Sequence, residues 1–150
     1  MSGIPRSALT LGLAGVAPFA WGALTEMSPA LFDWGMQTLG PRFVGQYVLV
    51  FYGTIILSFM SGALWGFATK ARGTTAALAY GASTLPALWA LLFVGGGAER
   101  ASWVLIAGYM GLLVLDYGFW RLRLAPDWWM DLRQFLTALV VGCLVLGLLF

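Results

Sequence analysis

The sequence predicts an all-α integral membrane protein with five transmembrane helices plus a short interfacial helix between the first and second spans. Three observations carry that expectation. Of 150 residues, 61% are apolar and 9% charged, with a mean hydropathy of +0.87; soluble domains average about 45–50% and about 25%. Five apolar runs, at about 8–24, 47–68, 76–94, 102–119 and 134–150, each approach the roughly 20 residues needed to cross a hydrocarbon core. What remains is short connections and one longer loop, so residues 1–150 read as a single helical membrane domain.

The first run follows Arg6 and exceeds the 7–15 residues of a signal-peptide h-region, so it reads as a retained helix. The start is not rich in Arg and Ser as a transit peptide is, which favours a bacterial cytoplasmic (inner) membrane over an organelle. In the connection at 25–46, Ser28-Pro29 supplies an N-cap and a first helical position. Leu31, Phe32, Trp34, Met36 and Leu39 then give apolar anchors before Gly40-Pro41 stops the helix.

The second span carries Thr54, Ser58, Gly62 and Gly66 at every fourth position, a helix-packing stripe that lets another backbone approach. Shorter versions are Ala79/Ser83/Ala87, Ala107/Gly111 and Ala138/Gly142. Packing inside the bundle is the ordinary use of such stripes; docking to a partner protein is the sharper one. Pro18 and Pro86 fall within the first and third spans, where each removes a backbone hydrogen bond and kinks its helix. The fifth run barely spans unless its start, at 127–134, rides in the interface. Trp128 and Trp129 read as an interfacial belt there, and Trp21, Trp65, Trp89, Trp103 and Trp120, close to span ends, read mostly as anchors.

Short loops rich in Lys and Arg stay cytoplasmic. An N-terminus inside places Arg6, Lys70, Arg72, Arg121, Arg123 and Arg133 in the cytoplasm and leaves Arg42 and Arg100 outside, so the C-terminus is expected in the periplasm.

Asp116 is the acid embedded in an apolar run, about one turn before the cytoplasmic end of the fourth span. A central Asp costs about 2.5–3.5 kcal/mol on insertion scales, and the negative end of the helix dipole adds repulsion. It therefore needs a cation. Arg133 is the best placed, with Arg121, Arg123 and Arg6 as alternatives; a structural pair is favoured over an ion-handling carboxylate with Tyr117, Tyr52 and Tyr80 as hydrogen-bond neighbours. Tyr-Gly recurs at Tyr52-Gly53, Tyr80-Gly81 and Tyr117-Gly118, too little text for an inverted repeat.

Composition also removes function classes. The chain has no histidine, and Cys143 is its one cysteine. Histidine-ligated haem, the usual zinc and copper sites, a His general base and an internal disulfide are therefore absent. A net charge of +2, scattered, gives no nucleic-acid footprint. No catalytic residue, metal or cofactor is expected.

Several segments together resemble a known family. They are Gly12-Leu13-Ala14-Gly15-Val16-Ala17-Pro18-Phe19, Tyr52-Gly53 through Leu57-Ser58-Phe59, Gly62, Trp65-Gly66, Ser83-Thr84-Leu85-Pro86-Ala87-Leu88-Trp89, Asp116, Pro126-Asp127-Trp128-Trp129, Leu132-Arg133 and Leu136-Thr137. In this order they are similar to the small membrane proteins of the domain of unknown function 3429 family, over nearly the whole chain. The resemblance implies a multi-helix inner-membrane protein and no established reaction. In that family a polar or basic residue often precedes the Trp-Gly of the second span, where this chain has Leu64, so a site using that group would be missing here. Trp65, Pro86, Trp89, Trp128 and Trp129 are its motif positions, beside Asp116 and Arg133.

The functional expectation is a non-catalytic accessory or assembly subunit of a larger inner-membrane complex, respiratory or photosynthetic, in contact with membrane lipids and other integral subunits. The alternatives are a small channel or carrier for protons or a small solute using Asp116, and a lipid- or quinone-binding module.

Overall fold

The structure, a computed structural model of the chain, describes residues 3–150. Its long helices are α1 (Arg6–Met27), α3 (Gly45–Ala68), α4 (Gly73–Phe93), α5 (Ala98–Arg121) and α6 (Trp129–Leu149), all long and apolar enough to cross a membrane. The short α2 (Pro29–Thr38) and a 3-10 turn (Pro41–Phe43) join α1 to α3. The Ser28 hydroxyl accepts the Leu31 N–H at 3.4 Å with Pro29 in the first turn, as the Ser-Pro signal predicts. The fifth span differs from its expected start: α6 begins at Trp129 and has 21 residues, because Trp128 takes the N-cap position after Pro126-Asp127 and Trp129 and Met130 already lie in the helix.

Neighbouring long helices alternate in direction. The starts of α1, α4 and α6 and the ends of α3 and α5 share one end of the bundle, here called the basic end, which carries Arg6, Lys70, Arg72, Arg121 and Arg123. The most connected helix is α3, packed against α1, α4 and α5, while α6 closes against α1 and α5. Phe19, Leu49, Leu57, Leu64, Leu105, Tyr109, Leu112 and Leu144 fill the centre, and Leu78, Leu91, Leu92 and Val114 point outward. Outward apolar side chains on every span, such as Leu11, Phe59, Leu78, Val114 and Leu149, are what a hydrocarbon solvent permits.

Polar groups stitch the spans together where the backbone has donors or acceptors to share. The α1 side chains cap α3: Thr25 Oγ1 accepts the Gly45 N–H at 2.7 Å and Glu26 Oε1 the Gln46 N–H at 2.8 Å. Two donors that α3 leaves unpaired in its first turn are thereby satisfied by another helix. The Gln46 side chain then donates to the Gly147 carbonyl of α6 and accepts from Ser102 Oγ of α5 at 2.9 Å. Further in, the Tyr52 hydroxyl donates to the Gly15 carbonyl at 2.9 Å and the Tyr109 hydroxyl to the Gly53 carbonyl at 2.6 Å. Pro86 has no N–H for its helix, and beside that break the Ser61 hydroxyl of α3 accepts the Ala87 N–H at 2.8 Å. Hydrocarbon offers backbone groups no water, so such inter-helix partners decide whether a kink is tolerated.

Candidate functional site

The intramembrane acid and its cation meet. Asp116, one turn before the end of α5, is 0% exposed, and Arg133, one turn into α6, has a side chain 7% exposed. Arg133 Nε donates to Asp116 Oδ2 at 2.9 Å. Antiparallel helices joined by a seven-residue connection, 122–128, bring these two positions to the same depth. Trp129 completes the cluster, its indole N–H donating to Asp116 Oδ1 at 3.0 Å.

Trp129 thus has a different role from the belt anchor expected of it. It lies four residues before Arg133 on the same face of α6, and its ring stands edge-on to Phe67 of α3, with centroids 4.8 Å apart. The 129/133/137 spacing was a signal available in the sequence. Tyr117, Tyr52 and Tyr80 do not serve Asp116: Tyr117 is exposed, Tyr52 bonds Gly15, and Tyr80 packs against Trp65. Arg133, and none of Arg6, Arg121 or Arg123, makes the ion pair among the described residues.

The small-residue stripe of α3 does not line the bundle interior. Gly62 and Gly66 face outward, and a Cβ built on either meets nothing within 4 Å. The Thr54 and Ser58 hydroxyls turn back onto their own helix, to the Val50 carbonyl at 2.7 Å and the Thr54 carbonyl at 3.0 Å. This corrects the expectation of packing inside the bundle. Close approach occurs instead where a large side chain sits on a single glycine. A Cβ on Gly22 would fall 2.8 Å from Leu49 and Val48, and one on Gly108 would fall 2.8 Å from Trp89 and 2.9 Å from Leu57. The inward face of α3 runs through Gly53, Leu57, Ser61, Leu64 and Ala68, one position away from the stripe. Of the shorter stripes, Ala79/Ser83/Ala87 faces inward, whereas Ala107/Gly111 and Ala138/Gly142 face outward.

Of the remaining motif positions, Trp65 is 51% exposed and leans on Tyr80 at 4.6 Å, on the outward face of α3 and α4. Trp89 crosses from α4 to donate to the Val104 carbonyl of α5 at 2.8 Å, and Trp128 lies half-buried against Trp129 at 6.1 Å. Trp21 and Trp120 likewise donate, to Phe43 and Asp127 carbonyls. Several tryptophans expected to be anchors are therefore inter-element clips. Between α4 and α5 an apolar groove of about 450 Å³ opens laterally, bounded by Pro86, Trp89, Gly108 and Gly111.

The helices and the buried pair define a five-span membrane protein held together by intramembrane polar contacts. A family model described as "Protein of unknown function (DUF3429)" matches residues 4–149, and the chain belongs to that family. It is also similar to Transmembrane protein 69 of Xenopus tropicalis, 36% identical over 148 residues that cover 94% of this chain and 53% of that protein. The chain thus spans about half the length of the curated relative it matches. No solved structure matches it.

Proposed function

We propose that the chain is a non-catalytic accessory or assembly subunit that docks onto another integral membrane protein, in a bacterial inner membrane with its N-terminus cytoplasmic. The observation that carries this reading is the outward face of α3. Gly62 and Gly66 leave the backbone bare, beside exposed Phe59 and Trp65, on a helix whose opposite face already packs the bundle core. Inside hydrocarbon, helix association depends on such close backbone approach. The orientation is supported by the basic end, since Lys and Arg concentrate on the cytoplasmic side of a membrane.

The carrier reading would need Asp116 to exchange a proton or ion. Both of its oxygens are engaged, by Arg133 and Trp129, so the geometry favours a structural pair. The test is purification in mild detergent followed by mass analysis. The native chain should run within a stoichiometric larger assembly, and Gly62→Leu should release it as a folded five-helix protein. A native chain that stays alone under several gentle conditions would count against docking.

A further inference from the structure

We infer that the inward face of α6 holds a small neutral hydrogen-bonding molecule, water, between the Arg133 guanidinium and the Thr137 hydroxyl. Two observations, independent of the proposed docking role, lead there. Arg133 bonds Asp116 through Nε alone, and neither terminal nitrogen has an acceptor among the described residues although the side chain is only 7% exposed. A guanidinium carries five N–H donors, so the four on its terminal nitrogens have no protein partner among the described residues. Thr137, one turn further along α6, is 4% exposed, and its Oγ1 is buried with no hydrogen-bond partner.

Thr137 is unusual within this molecule. The hydroxyls of Thr25, Thr54, Ser58, Ser83 and Thr84 all donate to carbonyls of their own helices, three or four residues back. Those of Ser61 and Ser102 bond across to other spans. Thr137 does neither, so its lone pairs and proton are available on the same helical face as Arg133.

Charge selects the guest. Asp116 and Arg133 together are neutral, so an added anion would leave a net negative charge in a medium of low dielectric, and an added cation would meet the unpaired guanidinium protons. A neutral molecule avoids both penalties. It must accept from Arg133 and both donate to and accept from a hydroxyl. Water does all three, and buried waters typically hold about three such bonds.

The experiment is water-to-protein magnetisation transfer by solid-state NMR on the full labelled chain in phosphatidylcholine bilayers. Transfer should reach the Thr137 methyl and the Arg133 terminal N–H groups several-fold faster than the methyls of Leu105 and Leu112, which are buried in the apolar core. Thr137→Val should abolish the transfer at Arg133, and Thr137→Ser should keep it. Arg133 and Thr137 as dry as Leu105 would overturn the proposal, as would Arg133 staying wet in Thr137→Val. Contacts from lipid protons to Thr137 in place of water would overturn it too. Should Thr137→Val not fold, the native chain and Thr137→Ser still decide, since both must show the water contact.

Discussion

Replacing Arg133 by Met removes the cation and keeps most of the side-chain volume, so it isolates the ion pair. The Nε to Oδ2 distance is 2.9 Å and both groups are almost wholly buried. Two unit charges about 4 Å apart at an effective dielectric constant of about 20 attract by about 4 kcal/mol. Removing one partner of a buried pair costs about 3–5 kcal/mol, because the other charge is left without compensation. Trp129 still donates to Asp116, which keeps the loss toward the lower part of that range. Asp116→Leu should cost a similar amount by stranding the guanidinium. The double variant removes both charges and strands only the Trp129 N–H, so it should lie within about 1–2 kcal/mol of the native protein. Reversible unfolding in mixed micelles, followed by tryptophan fluorescence, measures all three. The reasoning fails if either single variant costs less than about 1 kcal/mol, the ceiling for an exposed pair. It fails equally if the double variant costs the sum of the singles.

Other perturbations separate the two kinds of glycine and the two devices that tolerate breaks in helices. Gly108→Ala drives a Cβ to 2.8 Å from Trp89 and should destabilise by about 1–3 kcal/mol in the same unfolding assay. Gly62→Ala and Gly66→Ala, which meet no neighbour, should stay within about 0.5 kcal/mol. Ser61→Ala deprives the Ala87 N–H of its partner on α3 and should cost about 1 kcal/mol, an effect that shrinks when Pro86→Ala restores the regular ladder. Arg123 holds φ 59° just past the end of α5, while the Leu124 N–H reaches back to the Phe119 carbonyl at 3.0 Å. Arg123→Gly should relieve that left-handed conformation and raise the melting temperature, by up to about 1 kcal/mol of stability after the entropic cost of glycine.

The spans were legible because hydrocarbon imposes one requirement, a long apolar run, and composition alone reveals it. Ser28-Pro29 was legible for the same kind of reason, since a cap acts locally. The pairing of Asp116 with Arg133 followed from depth: short connections place the end of one span beside the start of the next. What pattern could not decide was azimuth. In water the apolar face of a helix points to the core, but in a membrane both faces are apolar, so the Thr54/Ser58/Gly62/Gly66 stripe carried no sign of which way it looked. The true inward line of α3 mixes Gly53, Leu57, Ser61 and Leu64, large and small together, because here leucines and a tryptophan seat onto single glycines. Trp129 was misread for a related reason. Tryptophans near span ends are enriched as anchors, and only the Asp116 oxygen 3.0 Å from its indole nitrogen distinguishes this one. The capping of α3 by Thr25 and Glu26 joins residues 20 positions apart, beyond the reach of local signals.

The central claim is that the outward face of α3 meets another protein. Photo-crosslinking in the native membrane tests it directly, with a photoreactive residue placed at Phe59 or Gly62 and, as a lipid-facing control, at Leu78 or Leu91 of α4. A discrete heteromeric adduct from the α3 positions and none from α4 is the outcome expected. Adducts with lipid alone from both helices would contradict it.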